Sequence, residues 1–219
     1  MKKENIKALL FDSDGTLFQS EYRQAEIWDK ILAEYDIKIP PQDYIIYAGK
    51  TAEQIESTLI NRYDLKIEKG DLVKKRDESI LKLYGSENLE LMPYAKEVLD
   101  FFYNHSNFHL ALCTNGGTEE VQLKLSRNNF SQYFSVIITK DDVLNPKPAP
   151  DIYLSAMEKL RLQPEECLVI EDTAHGLIAA KASGAYCFVV PNNFAKGHDF
   201  SSADKILNSL KDLILFFKK

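Results

Sequence analysis

The chain has 219 residues, a formal net charge of −6 and a hydrophobic content of 45%. This hydrophobic content supports a sizeable core and excludes a wholly disordered chain. The acidic balance, without a basic tract in the sequence, argues against nucleic acid as the main partner. The sequence has no apolar stretch as long as a membrane span, so we expect no membrane partner and a cytoplasmic location. The three cysteines lie in apolar runs, which indicates reduced core residues.

The first predicted strand spans residues 6–11 and is followed by two carboxylates. Its last four residues are all apolar, which is typical of a strand buried on both faces. Asp12 and Asp14 come next, and residues two apart in an extended segment point the same way, so both can face one site. A dication with oxygen ligands, such as Mg²⁺, would relieve the repulsion between them. For this pattern alone, a solvent-exposed turn is the alternative interpretation.

The segment from about residue 18 to 88 shows helical patterns and no convincing strand. Ser20 is the predicted N-cap of a first helix, and Thr51 is the predicted N-cap of a second. The charged stretch KGDLVKKRDESILKLYG predicts a third helix. A helical insertion therefore interrupts the sheet after its first strand.

Strands and helices alternate through the rest of the chain. Apolar runs predict strands at 108–113, 136–139, 167–170 and 186–190. Helical patterns begin at Pro93, near Thr118, after Pro150 and at His175, and the last residues suggest a short edge strand and a closing helix. This alternation predicts an α/β fold with a doubly wound, Rossmann-like parallel sheet.

Three further strand ends carry polar residues that could share one site with the first. Thr114 and Asn115 precede two glycines and a helix start, a combination that can bind an anion. Lys147 lies between two prolines and could neutralise a phosphate or a developing oxyanion. Glu171 and Asp172 follow a buried strand and suit the same dication. Each feature alone also fits a turn, a solvated lysine or an acidic N-cap, but chance explains all of them in this order poorly.

Taken in order, these stretches resemble the four motifs of the haloacid dehalogenase superfamily. The motifs are FDSDGT, Thr114, Lys147 and EDTAHGLIAAKASGA, and the resemblance covers essentially the whole chain. It is strongest for the branch that contains β-phosphoglucomutase and small sugar-phosphate phosphatases. The resemblance implies an α/β core domain formed by residues 1–17 and 89–219, with a helical cap domain at 18–88.

The resemblance also implies a chemical role for each carboxylate. Asp12 would be the nucleophile and Asp14 the general acid and base. Mg²⁺ would be held by Asp12, the backbone carbonyl of Asp14 and Asp172, with Glu171 in support. Because dehalogenases of this superfamily lack a carboxylate at the position of Asp14, we expect a phosphatase that forms an aspartyl-phosphate.

Substrate contacts are implied on both sides of the site. Thr114, the amide of Asn115 and Lys147 would hold the transferring phosphoryl group, while Gly49 and Lys50 of a cap loop would contact the rest of the substrate. Lys50 could equally be a solvated residue at a helix start. Further candidates are Glu21, Tyr22, Gln24, Thr51 and His175, the last of which also fits a plain helix N-terminal residue. The expected partner is a small phosphorylated metabolite, bound by a monomer or weak dimer.

Three other functions compete with a phosphatase. β-Phosphoglucomutases resemble one another in a cap histidine and a cap arginine, and these positions fall on Gln24 and Ala52 here, which favours hydrolysis. A receiver-type signalling domain also uses an aspartate, Mg²⁺, threonine and lysine, but it places adjacent acids after its first strand and its acceptor on a later one. A catalytically silent binding module is the third alternative, and no missing residue supports it.

Overall fold

The computed structural model describes residues 2–40, 43, 48–105 and 107–218. Within these residues, six strands form one sheet in the order β3-β2-β1-β4-β5-β6. All five strand pairings are parallel, so the predicted doubly wound parallel sheet is confirmed. The strands are β1 (Ala8–Phe11), β2 (His109–Cys113), β3 (Val136–Ile138), β4 (Cys167–Glu171), β5 (Tyr186–Val189) and β6 (Lys205–Ile206).

Among the described residues, three helices lie within the insertion that the sequence predicts at about residues 18–88. They are α1 (Glu21–Ala33), α2 (Ala52–Tyr63) and α3 (Asp71–Ser86). The exact division into a core domain and a cap domain stays a prediction. The other helices are α4 (Ala95–Tyr103), α5 (Thr118–Arg127), α6 (Asp151–Leu160), α7 (Ala174–Ala182) and α8 (Lys211–Lys218).

The central strand β1 is buried on both faces. Leu9 and Phe11 belong to a core that includes residues of α4, α5 and α8. Ala8 and Leu10 point the other way and pack with residues of α6 and α7. All four side chains are fully buried, because successive residues of a strand face opposite sides and helices cover both.

Strand register brings three chain segments to one edge of the sheet. Phe11 is paired with Leu112 on one side and with Ile170 on the other. The residues that follow these positions therefore meet beyond the carboxyl ends of β1, β2 and β4. In open α/β sheets this edge is where ligands bind, at the point where the strand order reverses.

The helix starts agree with the sequence predictions except at Ser20. Thr51 accepts a hydrogen bond from the backbone N–H of Gln54 at 3.3 Å and caps α2 as predicted. Ser20 precedes α1, but it has helical φ and ψ and makes no side-chain capping bond. The prediction of Ser20 as a capping side chain was wrong, because its hydroxyl instead donates to Asp14. α4 begins at Ala95, two residues after Pro93.

The cysteines and the helices bear on two expectations from the sequence, which are reduced core cysteines and no membrane span. Cys113, Cys167 and Cys187 are buried and free. In the described ranges, none of the helices combines the length and apolarity needed to cross a bilayer. The cytoplasmic location stays a prediction.

Candidate active site

One cavity beyond the strand ends collects most of the predicted site residues. It is lined by Asp12, Asp14, Gly49, Lys50, Thr114, Asn115, Lys147 and Asp172, together with Glu21 and Gln24 of α1. Glu171 is fully buried behind this lining. Tyr22 and His175 are not among the lining residues; the Tyr22 ring instead contacts Phe194 edge to face. The predicted strand-end residues thus come together as expected from the sheet topology.

Lys147 links three strand ends through its ammonium group. Its Nζ donates to Asp12 Oδ1 at 2.5 Å, to the carbonyl of Cys113 at 2.8 Å and to Glu171 Oε1 at 2.7 Å. An ammonium has three donors, so all of them are used. The backbone N–H of Lys147 donates to Asn115 Oδ1 at 2.9 Å, and Asn115 Nδ2 returns a bond to the Lys147 carbonyl at 3.1 Å. These bonds fix the loop that carries the lysine.

Asp12 presents one occupied and one available carboxylate oxygen. Oδ1 accepts from Lys147, whereas no donor among the described residues contacts Oδ2. Burial raises the pKa of Asp12 to about 7, and Lys147 opposes this effect while Glu171 and Asp14 add to it. A carboxylate oxygen without a protein donor next to a cavity is available as a nucleophile or as a metal ligand.

Three buried carboxylates lie close enough to hold a metal ion. Asp12, Glu171 and Asp172 each offer one oxygen, and these oxygens lie within 4.8 Å of one another. Burial and the charge of Asp12 raise the pKa of Asp172 well above its usual value. A cation among these oxygens would remove the repulsion, and an all-oxygen donor set fits a hard dication.

Glu171 is already saturated by donors from the protein. Its Oε1 accepts from Lys147 and, at 2.6 Å, from the hydroxyl of Tyr153. Its Oε2 accepts from the backbone N–H of Asp172 at 3.1 Å and from the Thr173 hydroxyl at 3.3 Å. With both oxygens occupied, Glu171 orients Lys147 and Asp172 and is a weaker candidate for direct metal contact than either aspartate.

Asn192 is a site residue that the sequence analysis missed. Its Nδ2 lies 2.8 Å from Asp172 Oδ2 and 2.6 Å from Glu21 Oε1. Burial raises the pKa of Glu21 to about 7, with repulsion from Asp14 in the same direction. Asn192 follows β5, so its place beyond the carboxyl end of an interior strand was an available signal.

Asp14 is held by three donors, one of which the sequence analysis also missed. Its Oδ1 accepts from Gln24 Nε2 at 3.0 Å, from Lys124 Nζ at 2.6 Å and from the Ser20 hydroxyl. Its Oδ2 accepts from Lys124 at 2.8 Å. Lys124 belongs to α5 and its side chain is fully buried. The amphipathic pattern of α5 gives no reason to expect a buried lysine, because charged residues of a helix normally face water.

The cap loop closes over the site through Gly49. The Gly49 carbonyl accepts from Asn115 Nδ2 at 3.1 Å. A Cβ at this position would lie 2.7 Å from the Thr173 hydroxyl oxygen, and the backbone has φ +74. Only glycine therefore lets the loop approach so closely.

We expect metal-free protein to lose stability relative to Asp12→Asn as the pH rises from about 4 to about 7. The pKa of Asp12 is about 7 in the folded state, against 3.8 for the ordinary group. The folded state therefore binds more protons than the unfolded state in this interval, and its stability falls with rising pH. Urea unfolding in chelator at about pH 5 and about pH 8 checks the result. A stability difference that is independent of pH would contradict this expectation.

Comparisons with known proteins show which family this chain matches. Residues 9–190 match a family model described as haloacid dehalogenase-like hydrolase. A bifunctional riboflavin kinase/FMN phosphatase from Arabidopsis thaliana is 30% identical over 97% of this chain, which spans only 56% of that relative. A fructose-1-phosphate phosphatase from Escherichia coli is 25% identical over 83% of this chain and 94% of its own length. The crystal structure of CbbY from Rhodobacter sphaeroides with phosphate is 25% identical, with TM-score 0.83 over 95% of this chain and 96% of that chain.

Proposed function

Because the chain belongs to the haloacid dehalogenase-like hydrolases, we propose that it is a Mg²⁺-dependent phosphatase of small phosphorylated metabolites, with sugar phosphates as the expected class. One observation carries the proposal. Asp12 is buried at the cavity with Oδ1 held by Lys147, and the described residues place no donor on Oδ2. A carboxylate held in this way has one oxygen ready to attack a phosphorus atom.

The reaction has two steps that use the same two aspartates. In the first, Asp12 Oδ2 forms a bond to phosphorus, the ester P–O bond breaks, and Asp14 donates a proton to the leaving oxygen. In the second, Asp14 takes a proton from water as the water oxygen attacks phosphorus. The Asp12–phosphorus bond then breaks and inorganic phosphate leaves. Both aspartates line the cavity, which supports these roles.

The phosphoryl group would be held by Thr114 at the end of β2 and by Lys147 on the loop between β3 and α6. Thr114 Oγ1 accepts from the backbone N–H of Gly116 at 3.0 Å, so its own hydroxyl hydrogen is free to donate to a phosphoryl oxygen. Lys147 supplies a fixed positive charge next to Asp12. Positioning and charge stabilisation provide most of the catalysis in phosphoryl transfer.

The acidic cluster fits Mg²⁺ as the metal. Asp12 and Asp172 of this cluster would hold the ion, with Glu171 orienting its neighbours. The family resemblance adds the backbone carbonyl of Asp14 as a further ligand. When bound, the ion would supply positive charge that offsets the negative charge of the nucleophile and of the phosphoryl group. Lys147 already balances one of the carboxylates, which leaves net negative charge for a dication.

Two cap positions favour hydrolysis over mutase activity. Gln24 has both ends of its amide engaged, with Nε2 on Asp14 at 3.0 Å and Oε1 on Arg76 at 3.1 Å. Ala52 begins α2 and carries no polar group. Neither residue offers the titratable or cationic group found at these positions in mutases. A sugar phosphate is the expected substrate because one relative is named a fructose-1-phosphate phosphatase.

Phosphate release from a panel of phosphorylated metabolites tests this function. We expect repeated turnover with Mg²⁺, none with chelator, and the fastest release from a sugar phosphate. A parallel reaction with β-glucose 1-phosphate measures glucose 6-phosphate. Robust glucose 6-phosphate formation would instead establish a mutase. Stoichiometric phosphorylation without turnover would indicate a signalling domain.

Replacing Lys50 by Met should raise KM for a sugar phosphate a few-fold with little change in kcat. Lys50 lines the cavity at the cap loop and is only partly exposed, so its charge can contact the part of the substrate that does not react. Steady-state kinetics with a sugar phosphate measure the change. Lys74→Met, an exposed lysine of α3, is the matched control. A fall in kcat at unchanged KM would contradict this role.

A further inference from the structure

Four charged side chains form a cluster that links α3 and α5 to the end of β1, and Asp14 is one of the four. Lys124 Nζ lies 2.9 Å from Glu120 Oε1, and Glu120 Oε2 lies 2.7 Å from Arg76 Nη1. Arg76 comes from α3, whereas Glu120 and Lys124 are one turn apart on α5. Two cations and two anions therefore alternate, and the end of the cluster is the Asp14 carboxylate.

Stability does not explain why a lysine occupies this position. The Lys124 side chain is fully buried. Its neighbours on α5, Val121 and Leu125, belong to the apolar core. Lysine is almost never fully buried, and replacing a buried ion pair by apolar residues is often neutral or stabilising. An apolar residue would thus serve packing at least as well. What a lysine adds here is its contact with Asp14.

The contact fixes the plane of the Asp14 carboxylate. Lys124 bridges both oxygens, at 2.6 Å to Oδ1 and 2.8 Å to Oδ2. Ser20 and Gln24 also donate to Oδ1, so this oxygen accepts three bonds while Oδ2 accepts one. Oδ2 is therefore the oxygen with a lone pair left to take up and release a proton.

We propose that Lys124 is a positioning residue that holds Asp14 with Oδ2 free for proton exchange with the leaving group and with water. Glu120 holds the ammonium from the other side, and Arg76 balances Glu120. Because Arg76 comes from the helical insertion, the cluster also ties Asp14 to the segment that covers the cavity. This inference rests on the proposed function, since it assumes that Asp14 is the general acid and base.

Two substrates with different leaving groups test the proposal on Lys124→Met. A sugar phosphate needs a proton on its leaving oxygen, whereas p-nitrophenolate departs without one. In single-turnover experiments we expect the phosphoryl-transfer rate to fall about a hundredfold for the sugar phosphate and by less than about threefold for p-nitrophenyl phosphate. Because water attack still needs Asp14 as base, p-nitrophenol should appear as a burst of one equivalent followed by slow turnover.

Two further variants keep the result interpretable. Lys181→Met breaks the ion pair with Asp204 at 2.7 Å, outside the cavity, and should leave both rates unchanged. The double variant Lys124→Met/Glu120→Gln removes both charges of the buried Lys124–Glu120 ion pair, so neither is left unpaired. Arg76 still has its ion pair with Asp77 at 2.9 Å, so we expect the double variant to fold. The double variant should show the same dependence on the leaving group.

Equal losses for the two substrates in folded Lys124 variants, or no loss for either, would overturn the positioning role. Wild-type protein that releases phosphate from neither substrate would overturn the proposed function itself. The wild-type reaction is therefore measured first, so the two failures are distinguishable.

Discussion

Asp12→Asn should lower kcat for phosphate release by at least about a thousandfold and leave the fold intact. The amide keeps the shape of the side chain and can still accept the bond from Lys147, but it cannot form an acyl phosphate. Removing one buried negative charge also relieves the repulsion with Glu171 and Asp14 that helps to raise the pKa of Asp12. Rates of phosphate release and circular dichroism, measured on the same preparation, check both expectations.

A matched control and a second readout separate chemistry from folding. Asp36→Asn changes an exposed aspartate with φ +58 after α1, a conformation that asparagine tolerates, and should retain full activity. Acid-quenched wild type should carry phosphate on Asp12, and Asp12→Asn should carry none. Persistent turnover in Asp12→Asn would rule out this nucleophile.

Gly176→Ala should destabilise the protein by about 1–3 kcal/mol and lower Mg²⁺ affinity. A Cβ on Gly176 would lie 1.8 Å from Glu171 Cδ, and Glu171 cannot retreat because Lys147 and Tyr153 hold it. Displacement of Glu171 would disturb Asp172, because the backbone N–H of Asp172 donates a hydrogen bond to Glu171 Oε2. Urea unfolding measures the stability, and a Mg²⁺ titration followed by thermal unfolding measures the affinity.

Gly85→Ala is the control for the effect of alanine on a helix. Gly85 lies in α3, and a Cβ there would meet no atom within 4 Å beyond its own helix. The substitution should therefore stabilise the protein by about 0.5–1 kcal/mol. If the two substitutions change the free energy of unfolding in opposite directions, the loss at Gly176 comes from the contact with Glu171. Equal effects would contradict that cause.

The strands and their faces followed from local pattern alone. The run of apolar residues at 8–11 predicts burial on both faces, and the fully buried side chains of β1 confirm it. The position of each motif at a strand end could also be read from the sequence, because parallel strands share one carboxyl edge. The capping role of Thr51 is equally local, since its partner Gln54 is three residues away.

Partners far apart in the chain could not be predicted in this way. Lys124 and Asp14 are separated by 110 positions, and only the packing of α5 next to the end of β1 makes them a pair. Ser20 had two possible partners, the helix N–H groups and Asp14, and the choice depends on where Asp14 lies. Arg76 belongs to a helix that was predicted from a charged stretch, yet its side chain is buried against Glu120.

The sequence by itself therefore determined the α/β fold, the strand-end motifs and the acidic cluster that could hold a metal ion, because hydrophobic periodicity and strand geometry act over a few residues. Only the tertiary structure decided which charges are buried together and how Asp14 is held. The reason is physical: an ionised side chain leaves water only where opposite charges and hydrogen-bond donors from other elements compensate it. That compensation is a property of the packed helices and not of any single segment.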